Sequence, residues 1–358
     1  MGIREKVLWS AFLRRVRKDR PYVIAVGGGI AKTSTKLALG KVLKAKHGND
    51  VRVGYGNLNT FIGVPLAGLG FKIDFHKQKL GILRWVIILK VAYLKGLFTK
   101  LPKYLVLEYG TDSPGDIKQL TDMLVPNMAL LTTVAQAHVE NYGSSMDAVA
   151  NEESGLIAAL GEDGVAILNA DDPYLDLHQK NLKTKNVYLV KTNLEDIYKN
   201  FAIEASKHLG VNEELSKKVL SEPINAEGRF NIKKLQNLNL IDDTYNANPA
   251  SMQAALNILK KSEGKKIAIL GDMLELGEGE VEAHKKIGQA ANNIADTVIS
   301  VGELAKNYNA QKHFDSSSQA MGNIFPYLEE AGTVLVKGSR GVRMEKIVEE
   351  IEKRYGNK

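Results

Sequence analysis

The stretch Tyr22–Lys36 reads YVIAVGGGIAKTSTK and decides how the rest of the chain is interpreted. Its first residues, Tyr22–Val26, are mostly apolar and predict a short buried strand. Three glycines follow, and Lys32 and Thr33 then open a helical run. This order is typical of a phosphate-binding loop, because backbone amides at a helix N-terminus hold phosphate oxygens. The candidate phosphate-binding residues are Gly28, Gly29, Ala31, Lys32, Thr33 and Ser34.

The stretch departs from the strict G-x-x-x-x-G-K-[ST] pattern at two positions. Val26 stands at the first glycine position, and Ala31 directly precedes the lysine. If Ala31 takes a positive φ, the conformation costs about 1–2 kcal/mol. The alternative to nucleotide binding is a glycine-rich turn that only packs a helix on a sheet.

Composition limits the function further. The chain has no cysteine, which excludes disulfides and thiolate metal sites and fits a cytoplasmic location. Its net charge is +7, but the lysines are spread out and lack the interleaved aromatic residues of an RNA-binding run. We therefore expect anionic small-molecule substrates rather than nucleic acid. Residues 1–20 show apolar residues at helical spacing among basic ones and predict an amphipathic leader helix.

Short apolar strands alternate with helical segments through most of the chain, which predicts an α/β fold with a doubly wound parallel sheet. The phosphate-loop residues, Glu108, His138 and residues 169–172 all fall at predicted strand ends. Ligands bind at that edge of such sheets. A composition change near 225–230 begins a second, smaller alternating set. The predicted domains are residues 1–20, 21–226 and 227–358.

Residues 81–98, GILRWVIILKVAYLKGLF, form the most apolar stretch. Arg84, Lys90 and Lys95 interrupt it, so it should not span a bilayer. One interpretation is a helix that covers the sheet or meets a partner. The other is a helix that lies at a membrane surface, with Lys100 and Lys103 extending its basic flank.

Several longer motifs resemble the Mur ligase family, and most closely its D-alanyl-D-alanine-adding members. In the second half they are LIDDTYNANPASMQAAL from Leu240, IAILGDMLELGEGEVEAH from Ile267 and VLVKGSRGVRME from Val334. In the first half they are GNLNTFIGVPL, LVLEYGTDSPGDI, AHVENYGS and AILNADDP. The resemblance covers residues 20–175 and 225–358. It implies a P-loop ATPase domain followed by a Rossmann-like domain.

The resemblance also implies the activity: an ATP- and Mg²⁺-dependent peptide ligase that activates a carboxylate as an acyl phosphate and joins it to an amino acid or dipeptide. By position, Lys32 holds the outer phosphates, and Thr33, Glu108 and His138 bind metal. The resemblance further assigns Asn200, Arg229, Asp243 and Asn246 to nucleotide binding, and Asn57, Asn59, Asn248, Lys337 and Arg340 to the substrate side. Lys337 and Arg340 have an equal alternative, which is bonding to backbone carbonyls.

The sequence departs from the family at Glu153, which aligns with a carbamylated lysine whose added carboxylate bridges metals. Glu153 either supplies that carboxylate directly or has lost the role. Family members begin with a domain that grips the UDP part of the acceptor, whereas here the phosphate loop starts near residue 27. We therefore expect either that a partner subunit holds the nucleotide-sugar or that the acceptor is not UDP-linked. The apolar, basic helix at 81–98 would suit a partner subunit or a lipid-linked acceptor. The alternative function is a degenerate ATP-binding subunit that scaffolds or regulates a partner enzyme.

Overall fold

The structure is a computed structural model that describes residues 1–75, 80–136, 138–222, 224, 228 and 230–356. It divides into two compact units. The first consists of Met1–Val134 and Asp147–Glu222, and the second of Ala135–Met146 and Pro223–Lys358. The short segment Ala135–Met146 therefore groups with the second unit although it precedes much of the first in sequence.

The first unit contains a parallel sheet with helices around it. Its strands are β1 (Tyr22–Gly27), β2 (Val51–Val53), β3 (Tyr104–Glu108), β4 (Met128–Leu131), β5 (Val165–Asn169) and β6 (Asn186–Val190). Its helices are α1 (Ile3–Asp19), α2 (Lys32–His47), α3 (Gly63–Gly68), α4 (Ile82–Phe98), α5 (Asp116–Met123), α6 (Met146–Ala158), α7 (Leu175–Lys180), α8 (Ile197–His208) and α9 (Glu213–Leu220).

The strand order of this sheet is β2-β3-β1-β4-β5-β6, and every pair is parallel. Strand β1 lies between β3 and β4, so the chain after β1 leaves the sheet at the point where the strand order reverses. A crevice forms at the carboxyl ends of the strands at such a point. The doubly wound sheet predicted from the sequence is confirmed, and its topology places the ends of β3 and β4 on either side of the loop after β1.

One face of the sheet carries the core on which the leader helix packs. Val23 and Ala25 of β1 share this core with Leu8 and Phe12 of α1 and with Trp85 of α4. Side chains alternate along a strand, so this set belongs to a single face of the sheet. The amphipathic helix predicted for residues 1–20 is present as α1.

The second unit is a smaller α/β domain. Its elements are β7 (Asn231–Lys234), β8 (Asn239–Asp243), α10 (Pro249–Lys261), β9 (Lys266–Gly271), α11 (Glu280–Asn292), β10 (Thr297–Val301), β11 (Lys312–Phe314), α12 (Ser317–Ala320), β12 (Thr333–Lys337) and α13 (Glu345–Tyr355). The sheet order is β11-β10-β9-β12-β8-β7, with only β7 antiparallel. Ile267 and Ile269 face one core, whereas Ala268 and Leu270 face the other. Helices therefore cover both faces, as the Rossmann-like prediction requires.

Strand β4 is shorter than the sequence suggests. The apolar and threonine-rich run predicts a strand from Met128 to Val134, but the strand ends at Leu131. The next residues, Thr132 and Thr133, bond to the loop after β1 instead of continuing the strand. The predicted strand was too long at its carboxyl end. Threonine is common in strands, but its hydroxyl also bonds readily to a neighbouring loop, and the sequence does not distinguish the two cases.

Candidate active site

The loop after β1, residues Gly28–Ala31 (the phosphate loop), has the backbone of a phosphate cradle. Gly28 has φ +115°, and a Cβ there would lie 2.2 Å from Thr132 Oγ1, so only glycine fits. Ala31 has φ +57° and ψ 6°, in the left-handed region, and α2 begins directly after it at Lys32. The amides of the first turn of α2 have no partner within the helix and point toward the loop side. This arrangement provides N–H donors and a positive helix end for an anion.

The end of β4 holds the phosphate loop in place. Thr132 Oγ1 donates to the carbonyl of Ile30 over 2.7 Å, and the amide of Gly29 donates to the carbonyl of Thr133 over 2.7 Å. Asp172 in turn accepts from the Thr133 hydroxyl and from the Val134 amide, both over 2.7 Å. The loop is therefore fixed through β4 before any ligand arrives, which reduces the ordering cost of binding.

The strain at Ala31 gives a direct test of the loop conformation. We expect Ala31→Gly to leave the free energy of unfolding unchanged or to raise it by up to about 1 kcal/mol, because relief of the left-handed strain offsets the extra backbone entropy of glycine. Urea unfolding measures the effect. The matched control Ala290→Gly, inside α11, should lower the free energy of unfolding by about 1 kcal/mol. An equal loss in both variants would contradict a strained Ala31.

Lys32 and Thr33, the first two residues of α2, lie next to the phosphate loop. The ammonium of Lys32 donates to the carbonyl of Gly28 and so lies folded over the loop. Thr33 is 5% exposed, and its Oγ1 donates to Glu108 Oε2 over 2.7 Å. The structure thus brings Lys32, Thr33 and the end of β3 together at one edge of the sheet.

Glu108 is the centre of a buried polar cluster. Besides the bond from Thr33, its carboxylate lies 3.1 Å from the ammonium of Lys36 and accepts from Asn59 Nδ2 over 3.0 Å. Lys36 is 1% exposed and also donates to the carbonyl of Gly56. Asn59, predicted on the substrate side, here orients Glu108, and its backbone amide bonds to the carbonyl of Asn57. Lys36 was not predicted, although it lies one helical turn after Lys32 and hence on the same face of α2.

The donor set beside the phosphate loop suits Mg²⁺. This ion prefers carboxylate and hydroxyl oxygens and is commonly held by one or two protein groups together with substrate phosphates. Thr33 and Glu108 offer such oxygens within 2.7 Å of each other. Throughout the described ranges, no group of three His, Asp or Glu side chains forms a metal cluster. The oxygens of Thr33 and Glu108 fit a metal that is bound jointly with phosphate, and their role as its protein ligands stays a prediction.

Glu153 lies beneath the phosphate loop and is 3% exposed. Its Oε2 accepts from the amide of Gly28 over 2.8 Å. Burial raises the pKa of its carboxyl group above the usual range, against the opposing effects of the Lys32 charge and the Gly28 amide. Its neighbour Glu152 points elsewhere and accepts from the amides of Gly115 and Ile117 at the start of α5. A carboxylate at position 153 thus borders the phosphate loop, and its role as a metal ligand stays a prediction.

The raised pKa of Glu153 makes the effect of Glu153→Gln depend on pH. The folded state binds the proton of Glu153 more tightly than the unfolded state does. The protonated carboxyl group therefore stabilises the fold fully below its ordinary pKa near 4.5, and this contribution is lost as pH rises through the folded-state pKa. Glutamine does not ionise, so we expect Glu153→Gln to become more stable relative to the unmodified chain as pH rises above about 4.5. Urea unfolding of both proteins in parallel across the pH range measures the difference, and Glu162→Gln at an exposed position is the control. A difference that does not change with pH would contradict the assignment.

Two further predicted residues, Asn200 and Asn248, make local hydrogen bonds, and a third, Ser34, is buried. Asn200 on α8 donates to Thr192 Oγ1 over 2.8 Å. Ser34 is 8% exposed in the first turn of α2. Asn248 is the N-cap of α10, where its side chain accepts from the amide of Ser251 over 2.8 Å. An N-cap is a structural role that the N-P pair at 248–249 signals in the sequence, and the substrate role of Asn248 stays a prediction.

In the second unit, His138 is paired with an acidic residue. Its Nδ1 lies 2.6 Å from Glu275 Oε2, and the hydrogen bond from His138 lowers the pKa of that carboxyl group. Both residues have left-handed backbones, with φ +54° and +66°. A carboxylate on one ring nitrogen fixes the imidazole in the way that second-shell partners of metal-binding histidines do. Glu275 was not predicted, although it stands in the quoted motif that begins at Ile267. The metal role of His138 stays a prediction.

Asp243 and Lys337 form a second buried pair in the same unit. The ammonium of Lys337 lies 2.5 Å from Asp243 Oδ2 and donates to the carbonyl of Asn246 over 2.9 Å. The bond to the Asn246 carbonyl matches the second interpretation of Lys337 given above, in which the lysine bonds to a backbone carbonyl and not to a substrate carboxylate. Arg340 lies over the ring of Tyr245 at 5.8 Å. Arg229, predicted to contact the nucleotide, lies outside the described residues.

Known families match both halves of the chain. The description "Mur ligase middle domain" matches residues 91–235, and "Mur ligase, glutamate ligase domain" matches residues 228–340. The UDP-N-acetylmuramoyl-tripeptide–D-alanyl-D-alanine ligase of Buchnera aphidicola subsp. Baizongia pistaciae is 30% identical over 378 residues, which cover 93% of this chain and 76% of that relative. The Escherichia coli enzyme of the same name is 27% identical, with 94% of this chain and 78% of the relative aligned.

Solved structures have the same fold. MurF from Acinetobacter baumannii aligns with a TM-score of 0.78 at 24% identity, covering 98% of this chain and 80% of that one. MurF from Thermotoga maritima, solved in complex with ADP, aligns with a TM-score of 0.77 at 22% identity, covering 98% of this chain and 84% of that one. The sequence match at 30% identity runs through both units and agrees with the resemblance of the motifs. The chain therefore belongs to the Mur ligase family.

Proposed function

We propose that this chain is an ATP- and Mg²⁺-dependent ligase that joins D-alanyl-D-alanine to the peptide carboxylate of a UDP-N-acetylmuramoyl-tripeptide. The observation that carries the proposal is the phosphate loop with the Thr33–Glu108–Lys36 cluster beside it, in a chain that shares up to 30% identity with ligases of that name. The two solved structures are 24% and 22% identical to this chain, so they support only the fold. A cytoplasmic location suits an ATP-consuming reaction and is part of the proposal.

The side chains at the phosphate loop suit phosphoryl transfer to a carboxylate. ATP supplies the phosphoryl group that activates the carboxylate for attack by an amine. Catalysis of such a transfer consists mainly of positioning and charge stabilisation. The Lys32 ammonium neutralises charge on the outer phosphates, and the amides that open α2 hold the phosphate oxygens. Thr33 and Glu108 hold the metal, while Lys36 and Asn59 keep the Glu108 carboxylate oriented.

Phosphate release separates this proposal from its alternative. The purified chain is incubated with ATP and Mg²⁺, and phosphate is measured with the UDP-linked tripeptide and D-alanyl-D-alanine added singly and together. The proposal expects release only when both are present, together with a product joined by a new amide bond, detected by mass spectrometry.

Nucleotide binding without phosphate release under any of these conditions would overturn the proposal and favour a degenerate ATP-binding subunit. Release with a different amine, but none with D-alanyl-D-alanine, would retain the ligase class and overturn the proposed specificity. Absence of nucleotide binding at millimolar ATP would contradict both functions.

A further inference from the structure

Helix α4 is apolar on the side that faces away from the protein. Its inner side buries Trp85, Ala92 and Gly96. Its outer side exposes large apolar residues, which we call the apolar face: Ile82, Leu83, Val86, Ile87, Val91, Tyr93, Leu94 and Phe98. Ile82 and Phe98 are 80% and 79% exposed, so nothing in the described structure covers these ends of the helix. Helix α4 thus has apolar residues on both its buried and its exposed side. A helix of this kind is normally buried on all sides, so the apolar face is suited to binding another molecule or surface.

Lysines occur along the whole chain, but the excess of positive over negative charge lies in the segments that form α1 and α4. Residues 1–20 and 80–103 contain twelve Lys and Arg and two acidic residues, a net charge of +10, whereas the whole chain has +7. The remainder of the chain is therefore net negative. No acidic residue occurs between residues 80 and 103. The surface that lacks a cover is thus also the surface that attracts anions.

Helix α1 brings its cations onto α4. The two helices pack closely, since a Cβ on Gly96 would lie 2.8 Å from the backbone of Ala11. The guanidinium groups of Arg4 and Arg14 lie 4.9 and 5.9 Å from the ring centres of Trp85 and Tyr93. A separate groove on α1 is lined by Lys6, Arg14, Arg17 and Lys18 together with Trp9 and Leu13 and is bordered by Met123 of α5. Two cations of α1 therefore lie directly over aromatic rings of α4, and further cations line the exposed side of α1.

This combination favours an anionic lipid surface over a folded protein. A helix that lies in the plane of a membrane interface places its apolar side at the acyl boundary and its Lys and Arg among the lipid phosphates. A protein partner would need a large apolar patch bordered entirely by acidic groups to match the same surface. Among the described residues, no helix is both long and apolar enough to cross a bilayer. We propose that α4 docks on an anionic bilayer through its apolar face, with the exposed cations of α1 and of residues 80–103 binding lipid phosphates.

Vesicle flotation tests the proposal without any measurement of ligase activity. The full chain is mixed with phosphatidylcholine vesicles, with or without about 30% phosphatidylglycerol, at about 0.1 M and about 0.5 M NaCl. We expect flotation with the anionic vesicles at low salt, at least about tenfold less at high salt, and little with neutral vesicles.

A double variant and a matched control locate the contact. Ile87→Glu with Leu94→Glu places two charges on the apolar face and should reduce flotation by at least about tenfold. Leu189→Glu with Ile232→Glu makes the same change at apolar positions that are 49% and 54% exposed elsewhere, and it should float like the unmodified chain. Circular dichroism verifies that both variants are folded.

Three outcomes would overturn the proposal. The first is the absence of flotation with anionic vesicles. The second is equal flotation of the two double variants. The third is a dimer in light scattering that only Ile87→Glu with Leu94→Glu dissociates, since a second copy would then cover the apolar face. Because flotation needs neither ATP nor acceptor, a failure here leaves the proposed ligase activity intact, and the reverse also holds.

Discussion

Replacement of Lys32 by alanine is expected to lower kcat for phosphate release by about 10²–10³-fold. The Lys32 ammonium lies at the phosphate loop, where it bonds to the carbonyl of Gly28. In the reaction it would neutralise charge on the transferred phosphoryl group, and the helix dipole and backbone amides that remain cannot replace a full positive charge. Phosphate release under saturating substrates measures kcat, and calorimetry with a non-hydrolysable nucleotide measures the affinity.

The fold should survive this substitution, because a single partly exposed hydrogen bond contributes only about 1 kcal/mol. Lys41→Ala is the matched control: it removes the same charge from the same helix, where Lys41 pairs with Glu222 at the surface. The control should retain nearly full activity. A Lys32→Ala variant with unchanged kcat would remove the phosphate loop from the mechanism, whereas equal losses in both variants would point to the helix rather than to the lysine.

Replacement of Glu108 by alanine is expected to lower the free energy of unfolding by about 3–5 kcal/mol. The substitution leaves the Lys36 ammonium, which is 1% exposed, without its 3.1 Å carboxylate partner. The Thr33 hydroxyl and the Asn59 amide lose an acceptor at the same time. A buried uncompensated charge is costly because the protein interior solvates it poorly. Urea or thermal unfolding of the chain without nucleotide measures the loss.

Two controls make this expectation specific. Glu222→Ala removes the partner of Lys41 at a surface where the glutamate is 77% exposed, and it should change the free energy of unfolding by less than about 1 kcal/mol. Combining Glu108→Ala with Lys36→Met removes both buried charges and should restore a large part of the lost stability. If the double variant is as unstable as the sum of two independent losses, the buried pair is not the cause.

The sequence predicted the parts of the site that follow from strand ends and loop chemistry. Lys32 and Thr33 were identified because a strand, a glycine-rich turn and a Lys-Thr pair that opens a helix follow one another in the order typical of a phosphate-binding loop. Glu108 was identified because it ends a buried strand, and in a parallel sheet the carboxyl ends of neighbouring strands meet at one edge. The positions of these residues follow from local pattern and from the regular geometry of the fold, whereas their metal-binding roles were assigned by the family resemblance.

The residues that the sequence missed act across long separations. Lys36 looked like an ordinary helix lysine until the structure placed it against Glu108, 72 positions away. Thr132 looked like part of a strand, but it bonds to Ile30, 102 positions away. No local pattern distinguishes a buried lysine or a loop-holding threonine from its exposed equivalents, because the partner alone makes the difference.

The sequence by itself determined the strand–loop–helix unit, the alternation of strands and helices that makes the first sheet parallel, and the apolar character of α4. Only the tertiary structure decided that β1 lies between β3 and β4, which brings Glu108 and Thr132 to the phosphate loop, and that the outer side of α4 is left exposed. The physical reason is that hydrogen-bond propensity and hydrophobic periodicity are properties of neighbouring residues. Burial and charge pairing are instead properties of the space that distant segments share.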